Sequence, residues 1–155
     1  MVSIRKAVRE DSPRLAELYT ELEKDAVYYQ PEHFVLSGGA ARLTDEMFDG
    51  EGQAMFVAQE EGEVIGFAHV LLLRAKPVPC LRPQTNIYLQ DLIVTESCRS
   101  RGIGGLLMNE VKKYGIESGA DFLRTQVFPM NRDGLRFYMR NGFSETMITI
   151  ECPLK

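Results

Sequence analysis

Between Asn86 and Phe128 the chain reads as a β-rich run, a glycine-bearing turn, an amphipathic helix and a second β-rich run. No other feature restricts the fold as much. Asn86–Thr95 has strand character. Arg101–Glu117 places Ile103, Leu106, Leu107, Val111 and Tyr114 on one helical face, and Phe122–Phe128 is strand-like again. A strand, a helix and a strand in that order imply two parallel strands joined by a right-handed crossover.

The remaining segments fit around that unit. Val2–Ala7 alternates like a first strand. Asp11-Ser12-Pro13 opens a helix, a capping side chain followed by proline where a missing N–H does no harm. Leu15, Leu18, Tyr19 and Leu22 share its apolar face, and Tyr28-Tyr29-Gln30-Pro31 ends it. Ala40–Phe48 is a weaker helical pattern stopped by Gly50 and Gly52. Ala54–Gln59 and Val64–Leu73 form a predicted hairpin about Glu60–Glu63, the second strand apolar on both parities and so covered on both faces. Arg74–Thr85, with Pro77, Pro79 and Pro83, is an irregular loop. Asn131–Arg140 is a short helix closed by Asn141-Gly142, and Thr146–Cys152 is a last strand. The expected fold is a mixed α/β domain, and 155 residues suit one domain spanning 1–155.

Composition narrows the function classes. A formal net charge of −4, with no basic run or basic–aromatic stripe, gives no footprint for nucleic acid. A mildly acidic surface suits a cationic partner such as an amine, and equally serves plain solubility. Cys80, Cys98 and Cys152 have no metal-ligand spacing and read as free thiols in a reducing cytoplasm; no metal is expected. The sequence shows neither a signal-peptide pattern nor an apolar run of membrane-spanning length.

The chemistry concentrates in Asp91–Leu107, where an apolar strand runs into Arg99-Ser100-Arg101-Gly102-Ile103-Gly104-Gly105 at the head of a helix. The first N–H groups of a helix lack intrahelical acceptors and carry the positive end of the helix dipole. Glycines let an anion approach the backbone, and Arg99 and Arg101 add flexible positive charge. These features together suit a phosphate or pyrophosphate. A Walker A loop requires Lys after its glycines, and none follows. A dinucleotide fingerprint requires a third small residue where Leu107 stands.

Arg99-Ser100-Arg101-Gly102-Ile103-Gly104 fits [Q/R]-x-x-G-x-[G/A]. Asn131-Arg132-Asp133-Gly134-Leu135-Arg136-Phe137-Tyr138-Met139-Arg140-Asn141-Gly142-Phe143 fits Asn-x-x-small-x-x-Phe-Tyr-x-x-x-Gly-Phe. With both motifs in this order the chain resembles the GNAT superfamily of N-acetyltransferases. Close correspondence covers the second half, and the first half agrees in element order. The resemblance implies a GNAT-like mixed, mainly antiparallel sheet with a central splayed parallel strand pair, flanked by helices. It also implies acetyl-CoA as cosubstrate. Backbone amides from Arg99 through Ser100, Arg101, Gly102, Ile103, Gly104 and Gly105 would wrap the pyrophosphate. Leu92, Ile93 and Val94 would pair with the pantetheine arm, and Asn131 would hydrogen-bond the coenzyme from the other side.

The resemblance further makes Tyr138 the general acid, in direct acetyl transfer to an amine within a ternary complex. A phenol with an unperturbed pKa of about 10 can protonate a departing thiolate whose thiol has one of about 8.5. The family often carries a glutamate base on the strand before the turn, where this chain has Gln90 in Tyr88-Leu89-Gln90-Asp91-Leu92. An amide takes no proton at neutral pH. Three accounts stay open: Asp91 turned inward by a bulge, a water held by Gln90, or an amine that arrives neutral. His69, in phase with apolar neighbours on its strand, reads as a hydrogen-bonded core residue. Tyr28, Tyr29 and His33 line an acceptor pocket or simply pack, and the proline-rich loop is a stiff candidate cover for the acceptor side. The expected activity is acetylation of a primary amine of a small molecule or a protein. Its rivals are a non-catalytic acyl-CoA-binding module and a nucleotide-binding domain. Relatives are often homodimers, though no motif here sets an interface.

Overall fold

Five strands form one sheet in the order β1-β2-β3-β4-β5, in a computed structural model that describes every residue from Met1 to Lys155. They are β1 (Val2–Lys6), β2 (Gln53–Glu60), β3 (Glu63–Arg74), β4 (Thr85–Val94) and β5 (Phe122–Arg124). The first four pair antiparallel with their neighbours, and β4–β5 is the parallel pair. The helices are α1 (Ser12–Tyr29), the single turn α2 (Glu46–Asp49), α3 (Ile103–Glu117) and α4 (Arg132–Arg140). This is the GNAT-like mixed sheet flanked by helices, with one difference. The parallel pair stands at the edge of the sheet and not at its centre, because no further strand adds to β5.

The double-sided apolar pattern of β3 follows from what covers it. On one face Ile65, Ala68 and Val70 join Ile103, Leu107, Met108 and Val111 of α3. On the other, Val64 and Phe67 join Leu15, Leu18 and Tyr19 of α1. Burying a side chain such as Leu107 or Phe67 contributes roughly 1.5–3 kcal/mol, so the two clusters hold the helices on opposite faces. No helix is long and apolar enough to cross a membrane.

Several expectations are corrected. Asp11 does not cap α1; its carboxylate accepts from Arg5 Nη1 and Nη2 at 2.8 and 2.9 Å and from the Val8 N–H at 2.8 Å. An ion pair outcompetes a neutral amide for the same oxygens. Ala40–Phe48 is not one helix but a 3-10 turn at Ala40–Arg42 and the separate α2, because Leu43 is extended between them. The second parallel strand stops at Arg124, short of Phe128. There the Thr125 hydroxyl donates to the Leu89 carbonyl at 2.9 Å, and no ladder pairs the strands beyond Tyr88–Arg124. Finally, Thr146–Cys152 joins no ladder. All of 144–155 is exposed, and none of its backbone groups takes part in a backbone hydrogen bond.

Candidate active site

The site begins where β4 and β5 part. Asn86, Ile87 and Tyr88 pair with Phe122, Leu123 and Arg124, after which the strands splay. On its other side β4 carries a bulge: Leu89 pairs with Val70 and Asp91 with His69, which leaves Gln90 as the extra residue. A bulge reverses the alternation of faces. Ile87 and Leu89 lie in the cluster on the α3 face, and beyond the bulge Leu92 and Val94 pack against that same cluster. Asp91 and Ile93 are thereby turned to the α1 face, and Gln90 is left exposed.

Asp91 is buried there. Its oxygens accept from the Tyr19 hydroxyl at 3.0 Å and from Arg42 Nη2 at 3.4 Å, and His69 Nδ1 stands 3.7 Å away. Burial, then the Asp91 charge, pushes the Tyr19 phenol well above its ordinary value, so it remains a donor. His69 is a core residue as expected: Nε2 meets Gln53 Oε1 at 2.9 Å, while Nδ1 has no hydrogen-bond partner. Arg42 also bonds Glu23, which accepts from both the backbone N–H and the hydroxyl of Ser37. This chain of contacts fixes the 37–42 segment against α1.

At the other end of the splay, β4 runs into the turn before α3. Ser100 and Gly102 both have positive φ, 62° and 80°. Left-handed residues alternating with ordinary ones aim successive N–H groups to one side. None of the N–H groups from Ser100 through Gly105 has an acceptor within the chain; the first to find one is that of Leu106, on the Gly102 carbonyl at 3.2 Å. Glu21 of α1 anchors the entry to this turn through the Thr95 hydroxyl and the Glu96 N–H.

The two arginines are not free. Arg101 makes a double hydrogen bond to Glu60, and Arg99 donates to the Val94 carbonyl and lies 3.9 Å from both Glu21 and Asp25. The capacity of the turn for an anion therefore rests on its backbone amides. Its glycines serve different ends. Gly102 supplies the left-handed φ, a Cβ on Gly105 would meet nothing, and one on Gly104 would press on the Phe137 ring at 3.1 Å. Gly104 thus lets α4 pack on α3.

α4 brings the second motif to the splay. Asn131 caps it, its Oδ1 accepting from the Gly134 N–H at 3.0 Å. A Cβ at position 134 would sit 2.6 Å from Asn131 Nδ2, which explains the small residue in the motif. Two turns further, Tyr138 packs edge-on between Phe137 and Phe143. Burial raises its pKa above the ordinary phenol value, and the Thr125 hydroxyl acts on it in the opposite direction. Since Thr125 also bonds Leu89, the Tyr138 hydroxyl stands at the apex of the splay.

Tyr29 stacks with Phe128, Tyr28 is exposed and His33 bonds Glu151. The proline-rich loop joins β4 at its paired end and does not cover the splay. Sequence reasoning missed Thr125, Arg42 and the positive φ of Ser100. Only Thr125 left a trace, as a polar residue between the apolar Leu123 and Val127.

A splayed parallel pair, a row of unpaired amides at a helix start and a half-buried tyrosine between them make an α/β fold open to an extended, anionic ligand. Residues 13–143 match the Acetyltransferase (GNAT) family, and the chain belongs to it. It is 30% identical over 145 residues to an uncharacterised N-acetyltransferase, YhfO, of Bacillus subtilis, covering 93% of this chain and 91% of that one. An aminoglycoside N(6')-acetyltransferase type 1 of Salmonella typhimurium is 28% identical, covering 68% and 74%. Among solved structures, the tetramutant of the BH1408 protein from Bacillus halodurans superposes with a TM-score of 0.90 at 25% identity over 98% and 99% of the two chains. Aminoglycoside N-acetyltransferase AAC(6')-Iy, in complex with a bisubstrate analogue of CoA and neamine, does so with a TM-score of 0.73 at 22% identity over 100% and 99%.

Proposed function

We propose that this chain transfers the acetyl group of acetyl-CoA directly to a primary amine. The observation that carries this reading is the row of unpaired N–H groups from Ser100 through Gly105, at the open end of a strand pair whose apex holds the Tyr138 hydroxyl. Six donors without acceptors fit a diphosphate. On its β5 side the stretch of β4 from Leu92 to Val94 has no ladder partner and suits an extended arm, although the Val94 carbonyl is already engaged by Arg99. Asn131 has one oxygen committed to its cap and an amide NH2 left to donate outward. Acetyl-CoA supplies an acetyl group activated as a thioester. As the amine attacks, Tyr138, kept protonated by burial, donates a proton to the leaving sulfur.

The proton lost by the amine leaves by way of a water at Gln90. Gln90 is exposed at the bulge, whereas both oxygens of Asp91 are bound by Tyr19 and Arg42. Asp91 is thereby committed to holding Tyr19 and Arg42 in place. A non-catalytic acyl-CoA-binding module is the second reading, favoured by the lack of an unengaged carboxylate at this bulge.

The deciding experiment is thiol release from acetyl-CoA with a panel of amines, led by aminoglycosides and polyamines, and including a peptide amine. Acetylation of at least one class is expected. Tight acetyl-CoA binding with no release on any amine would favour the module.

A further inference from the structure

Beside the splay, the face of the sheet turned to α1 carries a cation without a partner. α3 and α4 pack on the opposite face, where Ile103, Leu107, Phe137 and Tyr138 meet the cluster of Ile87 and Leu89. A coenzyme gripped at the start of α3 and an acid from α4 leave the α1 face for the incoming amine. Leu123 joins the α3 cluster too, and alternation turns its neighbour Arg124 to the α1 face. Tyr88, between Ile87 and Leu89, is turned the same way, and it is the ladder partner of Arg124. Further on, Phe128 meets Tyr29 of α1, which keeps the continuation of β5 in the same phase.

The polar groups gathered there are donors. The Tyr88 hydroxyl donates to Gln126 Oε1 at 3.0 Å across the opening of the splay, and burial, then the Asp91 charge, raises the Tyr88 pKa and keeps that proton in place. With its oxygen engaged, the exposed Gln126 has its NH2 left to donate. Arg124 is exposed and takes part in neither an ion pair nor a hydrogen bond. Arginines elsewhere, such as Arg5, Arg42 and Arg101, lie against carboxylates. The carboxylates of the strand pair offer Arg124 nothing, because Asp91 is bound by Tyr19 and Arg42, and Asp121, just before β5, accepts from the Thr85 N–H. A guanidinium and an amide NH2 on one face, with no acceptor between them, suit a carboxylate or a phosphonate.

We propose that Arg124 and Gln126 bind an anionic group of the acceptor, so that the acetylated amine belongs to a molecule that also carries a carboxylate or phosphonate. The proposal rests on the acetyl-transfer reading and names its acceptor class. Residues two apart on a strand are about 7 Å apart. That is the step from Tyr88, beside Arg124, to Gln90, where the amine loses its proton. An extended chain advances about 1.2 Å per bond, so amine and anion are separated by five or six bonds, as in 5-aminopentanoate. An α-amine directly beside its own carboxylate is too short.

Thiol release tests it through a ratio, kcat/KM for 5-aminopentanoate over that for pentylamine, which differs in lacking the anion. The ratio is expected at about 10–100 in the wild type, the value of a hydrogen bond to a charged group. It should fall to near one in Arg124→Gln and be partly restored in Arg124→Lys. The variant should keep its Tm, since Arg124 has no ion pair or hydrogen bond to lose. A wild-type ratio of one or below, or a ratio that survives Arg124→Gln, overturns the proposal. The phosphonate analogue, 4-aminobutylphosphonate, shows which anion the site prefers. Calorimetry of 5-aminopentanoate with the CoA-saturated protein separates this proposal from the reading beneath it. If no amine releases thiol, acetyl transfer fails. Binding that weakens at least tenfold in Arg124→Gln would still support the anion site, and equal binding by both proteins would overturn it.

Discussion

The acid role proposed for Tyr138 rests on where it sits. Its ring is held between Phe137 and Phe143, and its hydroxyl lies near the Thr125 hydroxyl at the strand divergence. Burial moves its titration above the ordinary phenol range of about 10, so the proton that the proposed role requires is present throughout the neutral range. Replacing Tyr138 by Phe keeps the packing and removes only the proton. Turnover should fall by about 10²–10⁴-fold, the range typical of a lost general acid, with acetyl-CoA affinity changed less than threefold by calorimetry. The wild-type rate should also show no alkaline fall attributable to Tyr138 below about pH 10. Turnover that survives the substitution removes the role.

At the scale of elements, the two motifs prove to be one packed unit. Gly104 on α3 admits Phe137 of α4, and Asn131 caps α4 in contact with Gly134. Asn131→Ala should therefore cost about 1 kcal/mol, a fall of roughly 2–4 °C in Tm for a chain of this size, and should weaken coenzyme binding as well. A stability loss with unchanged binding would confine Asn131 to capping. Both motifs were legible because each rests on local spacing. The positions of β1–β4, α1, α3 and α4 were legible for the same reason: their apolar periodicity reports the face each one buries. The bulge at Gln90 was legible only as one of three open accounts, since it depends on how β4 registers against β3. The early end of β5 was hidden likewise, as the Thr125 hydroxyl just past it takes the Leu89 carbonyl of β4 in place of a backbone donor. Thr146–Cys152 reads as a strand by composition, but composition does not say whether an edge is there to pair it, and in this fold it joins no ladder.

At the scale of the molecule, α1 must stay on its face of the sheet for Glu21 and Tyr19 to hold the turn and Asp91 in place. Asp11 is central to that attachment, as it ties β1 to the start of α1 through Arg5 and the Val8 N–H. The Arg5 hydrogen bonds lower its folded pKa below the usual carboxylate value. The unfolded chain therefore binds the proton first, and the stabilisation is complete above about pH 4 and disappears as pH falls through the lower folded value. Asp11→Asn should lose roughly 1–2 kcal/mol at neutral pH, allowing for solvent screening at the part-exposed Arg5. The gap to the wild type should close in acid, as read by urea unfolding across pH. A gap that does not change with pH would show that the charge is unimportant.

The claim on which the account turns is that the amides of residues 100–105 hold a diphosphate, and Gly105→Glu tests it most directly. Position 105 is sterically open, and in the first turn of a helix Glu is favoured over Gly both by propensity and by the dipole. The fold should thus be as stable as before or more so, while a carboxylate now stands where the anion would bind. Calorimetry should show CoA binding weakened at least tenfold, about 1.4 kcal/mol, at an undiminished Tm. Unchanged CoA affinity in that variant would contradict the account.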